Sequence, residues 1–332
     1  MTAAPKDLTG LLDSWAIPAT AVLARAEHGT NNQTFVVGQG AERRVLRISE
    51  NLSAAQVRAE HRLLAWLRPA GLPFQVPEPI PTLAGDTVAE TPSGPASLCR
   101  WIPGGRPDLA SEPALERFGR AIGLLSDALR LAPLADSPHD WREGPLRAHP
   151  EMPGVHELRH ELQAAGAEHA ALLETAADRM RAWWSSASGE LPAQVVHGDP
   201  ATSNTLVDEH TGQVTGLLDF EIAGADLRVQ DLVAALLQSG ALDGSAWPRR
   251  VAALVRGYAS ALRLTQAEIQ AIPPLLVCRC VGSVQWRAGR WHRGQARLAE
   301  VIDRLGHLDV TMSWLAASGD QFLDVVAAAA TE

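Results

Sequence analysis

The sequence predicts an α+β protein of two lobes, a small strand-rich one followed by a larger helical one. Three observations carry this. The chain has 332 residues, too long for one compact core and suited to two lobes sharing a cleft. Its first third shows the short period of strands, interrupted by one helical stretch. Beyond a Pro- and Gly-rich linker at residues 102–107 the periodicity turns helical, with one embedded hairpin as the exception.

The elements follow in order. Residues 34–37 and 44–48 predict two strands joined by a Gly-containing turn at 38–40. Asn51 or Ser53 then caps a helix running to about Leu67, with Val57, Leu63, Leu64 and Leu67 on one face and Pro69 as its stop. Residues 76–82 are punctuated by proline and suit an edge strand or a loop. Residues 87–90 and 96–101 predict two more strands, which closes a first lobe at residue 101. From residue 108 to the end, helical periodicity runs over 113–131, 155–184, 230–238, 247–262 and 266 to about 290. Between them, 194–196 and 205–207 read as strands, and 214–218 pairs back across a turn at 208–213.

Composition excludes several classes. With 46% hydrophobic and 20% charged residues the chain has an ordinary globular make-up. No uninterrupted run of 18 apolar residues occurs, so no membrane-spanning helix is expected. The first six residues lack the basic-then-apolar pattern of a signal peptide. Cys99, Cys278 and Cys280 give neither a disulfide framework nor a metal spacing, which suits reduced thiols in a cytoplasmic protein. A formal net charge of -9 argues against a nucleic-acid partner. Lys6 is the single lysine; every other cationic chain is arginine or histidine.

The chemistry concentrates on the hairpin. His197-Gly198-Asp199 follows a strand, Asn204 opens the next one five positions on, and Asp219-Phe220-Glu221 ends its partner. Phosphoryl transfer asks for a carboxylate that orients a hydroxyl and for oxygen ligands to Mg²⁺ on the phosphates. Asp199 can serve as the first, while Asn204, Asp219 and Glu221 supply the second. Hairpin pairing brings Asp219 beside Asn204.

H-G-D-x-x-x-x-N followed by a hairpin and D-F-E resembles the aminoglycoside phosphotransferase and choline kinase superfamily, a small-molecule branch of the protein-kinase fold. The resemblance implies a bilobal fold, ATP and Mg²⁺ as cofactors, and a small-molecule hydroxyl as acceptor. It implies Asp199 as catalytic base, Asn204 and Asp219 as metal ligands, His197 as loop support and Asp231 as its brace. His28 to Phe35, Asn31 included, is similar to the family's phosphate-covering loop. Arg47 takes the place of the phosphate-binding lysine, with Glu60 as its implied partner. The strand ending at Trp101 leads into a hinge whose backbone would bind adenine.

Plainer readings stand beside these. Asp199 and Asn204 are also turn formers, and a non-catalytic kinase-like binding protein is the rival function, supported by Arg47 in the lysine position. Trp286, Arg287, Arg290, Trp291, His292 and Arg293 form either a substrate wall or tryptophans packed under arginine stems. Within the superfamily, residues 219–226 and Arg228 look most like homoserine kinases. A polycationic aminoglycoside would need several carboxylates in the helical lobe, whereas homoserine would need an arginine, a role open to Arg287 or Arg290.

Overall fold

Short strands joined by tight turns build the N-terminal part of the molecule, and long helices the C-terminal part, in a computed structural model that describes residues 8–25, 32–142 and 152–331. The chain divides into two compact units. The first takes the described residues up to 107 together with 131–139 and 202–223; the second takes 108–130, 140–201 and 224 onwards.

In the first unit, α1 (Leu8–Leu12) precedes β1 (Val22–Arg25), β2 (Asn32–Val37) and β3 (Arg44–Ser49). α2 (Ala54–Leu67) follows, then β4 (Ala89–Thr91) and β5 (Gly94–Arg100). The strands form one antiparallel sheet in the order β1-β2-β3-β5-β4. Alternation along β2 and β3 turns Phe35, Val37, Leu46 and Ile48 inward, where they meet Leu12, Trp15, Ala96 and Leu98 in a small core. α2 starts at Ser53, not Asn51: the Ser53 hydroxyl accepts from the Gln56 amide while the Gln56 side chain accepts from Ser53, a reciprocal capping box. Residues 76–82 form no strand.

The hairpin β8 (Thr205–Val207) and β9 (Val214–Leu217) belongs to this unit although it lies far along the chain. Backbone bonds explain why. Gln75 bonds to Thr215 and Leu217, and Gly105 in the linker exchanges both its bonds with Val207 at 2.9 Å. Gly104 has φ 146, and an added Cβ there would lie 2.5 Å from the Thr215 hydroxyl, so the linker needs a glycine to lie against the hairpin.

The second unit is helical around two strands. Its helices are α3 (Glu112–Leu129), α4 (Val155–Ala164), α5 (Ala170–Ala187), α6 (Gln230–Gln238), α7 (Trp247–Ala259), α8 (Gln266–His292) and α9 (Leu298–Ala329). β6 (His139–Asp140) is a two-residue strand, after which the Trp141 amide donates to Ala225. β7 (Ala193–Val196) pairs antiparallel with β10 (Gly224–Leu227). The helix expected over 155–184 is two helices. Gly166, at φ 78, ends α4, and Ala167 bonds back to the Leu162 carbonyl, so the backbone reverses before α5. α8 continues through Pro273 and Pro274. By length and composition it could cross a membrane, but 61% of its apolar window is buried within the structure, as in a core helix.

α3 and α7 pack at backbone contact. A Cβ on Gly119 would lie 2.1 Å from the Leu254 carbonyl oxygen, and one on Gly257 2.0 Å from that of Glu116. Arg228, just after β10, pairs with Glu268, a carboxylate with no solvent exposure that also caps α8 through Thr265. Gly257→Ala should therefore cost about 1–3 kcal/mol by forcing the helices apart. Gly282→Ala, in α8 with open space around it, should gain up to about 1 kcal/mol. Urea unfolding of both variants measures the difference.

Candidate active site

Residues 197–199 leave β7 as its hydrogen-bonded run ends, which strands their amides. α6 solves this. The wholly buried Asp231 carboxylate accepts from His197 N–H at 3.0 Å and from Gly198 N–H at 2.9 Å. Burial pushes the Asp231 carboxyl up, and the charge and amide donors around it work in the opposite direction. Gly198 takes φ 86, which favours glycine, and the Asp199 amide then donates to His197 Nδ1 at 3.2 Å. His197 is fully buried and supports the loop.

The Asp199 carboxylate is itself held. Gln238 Nε2, two turns along α6 from Asp231, donates to its Oδ1 at 2.6 Å. Arg279 of α8 donates to the same oxygen at 2.7 Å and to the Gly198 carbonyl at 2.7 Å. Neither Arg279 nor Gln238 was singled out in the sequence, where each looks like an ordinary helix residue 80 or 39 positions away. Arginine at position 279 inside an otherwise apolar helical stretch is the one signal that pointed there.

Asp226 lies in the same unit, on β10. Burial pushes its carboxyl up to about 8; the Leu227 N–H and the Arg279 charge oppose the shift and the neighbouring Asp231 adds to it. The folded protein thus keeps a proton that the unfolded chain releases near the ordinary aspartate value of about 4. Stability falls as pH rises from there to about 8, because the folded state binds more protons across that window. Asp226→Asn removes the titration. Its melting temperature relative to wild type should climb between about pH 5 and about pH 9, and a constant difference would refute the assignment.

In the first unit, Arg47 on β3 meets Glu60 of α2 at 2.5 Å and Asp219 Oδ1 at 3.7 Å. Burial disfavours its charge, but the two carboxylates outweigh that and hold its pKa above the usual value. Glu60 is buried, as the implied pairing requires. Asp219 has φ 66, one of two described non-glycine residues in the left-handed region, a strained backbone that short polar side chains tolerate best. The Asn204 carbonyl accepts from Leu218 N–H at 2.8 Å, so the hairpin does bring Asn204 and Asp219 to neighbouring positions. Glu221 is buried and accepts from Asn32 Nδ2 at 2.7 Å, while its carbonyl faces His139 Nε2 at 2.9 Å. Asn31 lies outside the described residues, with the rest of 26–31. Trp101 is half-buried under the Arg43 guanidinium, 4.7 Å from its ring centre.

The donor set fits a hard divalent cation. Asp219, Asn204 and Glu221 offer carboxylate and amide oxygens. Among the described residues no group of three or more histidine, cysteine, aspartate or glutamate side chains could cage a metal.

The late arginine cluster takes a structural form. Arg287 pairs with Glu300 of α9 at 3.3 Å, His292 with Glu161 of α4 at 2.7 Å, and Trp291 packs on the core shared by α4, α5, α8 and α9. All three cysteines are free thiols.

Comparison with known proteins gives the family. Residues 22–271 match the phosphotransferase enzyme family, and the chain belongs to it. A homoserine kinase of Gluconobacter oxydans (strain 621H) is 28% identical over 273 residues, covering 77% of this chain and 81% of that protein. One from Phenylobacterium zucineum (strain HLK1) is 24% identical over 295 residues, covering 86% and 85%. A microcompartment-associated aminopropanol kinase shares the fold with a TM-score of 0.71 at 20% identity, over 94% of this chain and 98% of that one. The amicoumacin kinase hAmiN, in complex with AMP-PNP, Ca²⁺ and Ami, aligns with a TM-score of 0.66 at 16% identity, over 91% and 90%. The protein is an ATP-dependent small-molecule kinase with a strand-rich N-terminal part and a helical C-terminal part.

Proposed function

We propose that the enzyme moves the γ-phosphate of Mg·ATP to the hydroxyl of a small hydroxylated metabolite of the homoserine type, with Asp199 as the base. The observation that carries the nucleotide half is the Arg47–Glu60–Asp219 ion set. Arg47 binds phosphate oxygens with its planar fork while Glu60 fixes its direction. Asp219 and Asn204, with Glu221 beside them, would hold the Mg²⁺, which when bound neutralises charge on the phosphates. The backbone leading from Trp101 into the linker is the adenine-binding segment of this reading.

Asp199 takes the hydroxyl proton and orients the attacking oxygen. It need not be a strong base, because positioning and charge neutralisation supply most of the rate in phosphoryl transfer. The homoserine kinases among its relatives support the acceptor class. Arg287 and Arg290, the earlier candidates for contacting an acceptor carboxylate, are respectively paired with Glu300 and buried. The division into a nucleotide-binding segment 1–101, a hinge at 102–107 and a catalytic remainder is part of the same reading. The organisation suits a cytoplasmic enzyme.

ADP release from Mg·ATP, measured with homoserine, choline, methylthioribose and several aminoglycosides, tests the acceptor. Homoserine should stimulate wild type. Asp199→Ala should lose at least about 10³-fold in kcat while keeping ATP affinity. Asp219→Ala should weaken Mg·ATP binding, read as a smaller nucleotide-induced rise in melting temperature. Normal turnover by Asp199→Ala would overturn the assignment.

A further inference from the structure

The segment 197–199 is restrained on every side by the helical unit. Its amides are held by Asp231 and by the His197 ring. Two side chains that no motif identifies also hold it. Arg279 spans the Gly198 carbonyl and Asp199 Oδ1 with separate nitrogens, both at 2.7 Å. Gln238 converges on the same Oδ1 at 2.6 Å from a second helix. Two donors from different helices on one carboxylate oxygen fix both its torsion and its plane, because neither helix can move without straining the other bond.

We propose that Arg279 and Gln238 form a clamp that sets the rotamer of Asp199, making them positioning residues for phosphate transfer; this rests on the reading of Asp199 as the base. Three features favour positioning over direct acceptor binding by Arg279. Two of its guanidinium nitrogens are already engaged with the loop. One bond goes to backbone, where it serves loop geometry and nothing else. The guanidinium also pairs with the Asp199 carboxylate at 2.7 Å, so its charge already has a counter-ion inside the protein. A lysine could not reproduce the arrangement, since an ammonium has no planar fork to span a carbonyl and a carboxylate.

The test uses the full-length protein. Arg279→Met and Gln238→Leu are compared with Arg279→Lys, each first checked for a wild-type melting profile and Mg·ATP binding. With homoserine as acceptor, Arg279→Met should lose about 10²-fold in kcat, the scale expected for a misplaced catalytic group. KM for homoserine and for ATP should stay within about two-fold. Gln238→Leu should lose about tenfold, and Arg279→Lys should recover part of the loss. Unchanged kcat would overturn the clamp. So would a KM for homoserine raised about tenfold with kcat kept, which would make Arg279 an acceptor ligand.

A second arm needs no acceptor. In protein carrying ¹³Cγ-aspartate, the Asp199 resonance, assigned through Asp199→Asn, should shift in Arg279→Met while those of Asp309 and Asp320 on α9 stay put. An unmoved Asp199 resonance would refute the contact. Wild type silent towards homoserine would sink the acceptor assignment alone, and the resonance would then decide the clamp.

Discussion

A carboxylate with no water to solvate it and two amides with no strand to pair them meet at Asp231, and the loop at 197–199 depends on that meeting. A buried charge and a buried orphan N–H are each costly. Together they satisfy one another, and the Gly198 turn that results gives Asp199 its place at the end of β7. α6 carries Asp231 and Gln238 on one face two turns apart. α6 is buried along nearly all its length, so core packing, not a local turn preference, decides where the carboxylate sits.

The strand-rich unit solves a different electrostatic problem. Arg47, mostly buried on β3, needs anions near it, and Glu60 and Asp219 are both supplied from elements fixed by backbone bonding. Glu60 is set by the Ser53–Gln56 capping box that starts α2. Asp219 is set by the β8–β9 pairing and then by a left-handed backbone. A planar guanidinium can address two carboxylates from two nitrogens, as it does here. Arg47 is thus part of a coherent ion set.

Much of this was legible in the sequence, for identifiable reasons. Asp199, Asn204, Asp219 and Asp231 lie within one stretch, where strand periodicity and turn spacing are local signals. The β2 to β5 strands and α2 were legible from alternation and caps, with ends one to three residues out. α9 was not. Its buried positions fall in two groups at helical spacing, Val301, Leu305 and Leu308, then Phe322, Val326 and Ala329, with a long half-exposed stretch between them that breaks the pattern. The break between α4 and α5 was missed because Gly166 alone marks it, and an isolated glycine is weak evidence inside a helical pattern. Arg279 and Gln238 were missed for a deeper reason. Their meaning is a contact across tens of residues, and one sequence holds no record of which helices come to face each other.

The bonds around Asp199 also bear on how its carboxylate is oriented. A carboxylate without donors would be free to turn about its side-chain torsions. Here the opposite is done: an arginine and a glutamine amide both point at Oδ1. Such an arrangement fixes direction. That is sensible for phosphoryl transfer, where the transition state is loose and the incoming hydroxyl carries little developing charge, so its proton can leave late. Asp226 of the same unit meets a different environment, where burial outweighs the Leu227 amide and the Gln230 side chain and pushes it up to about 8. The donors on Asp199 fix the direction that the proposed reaction needs.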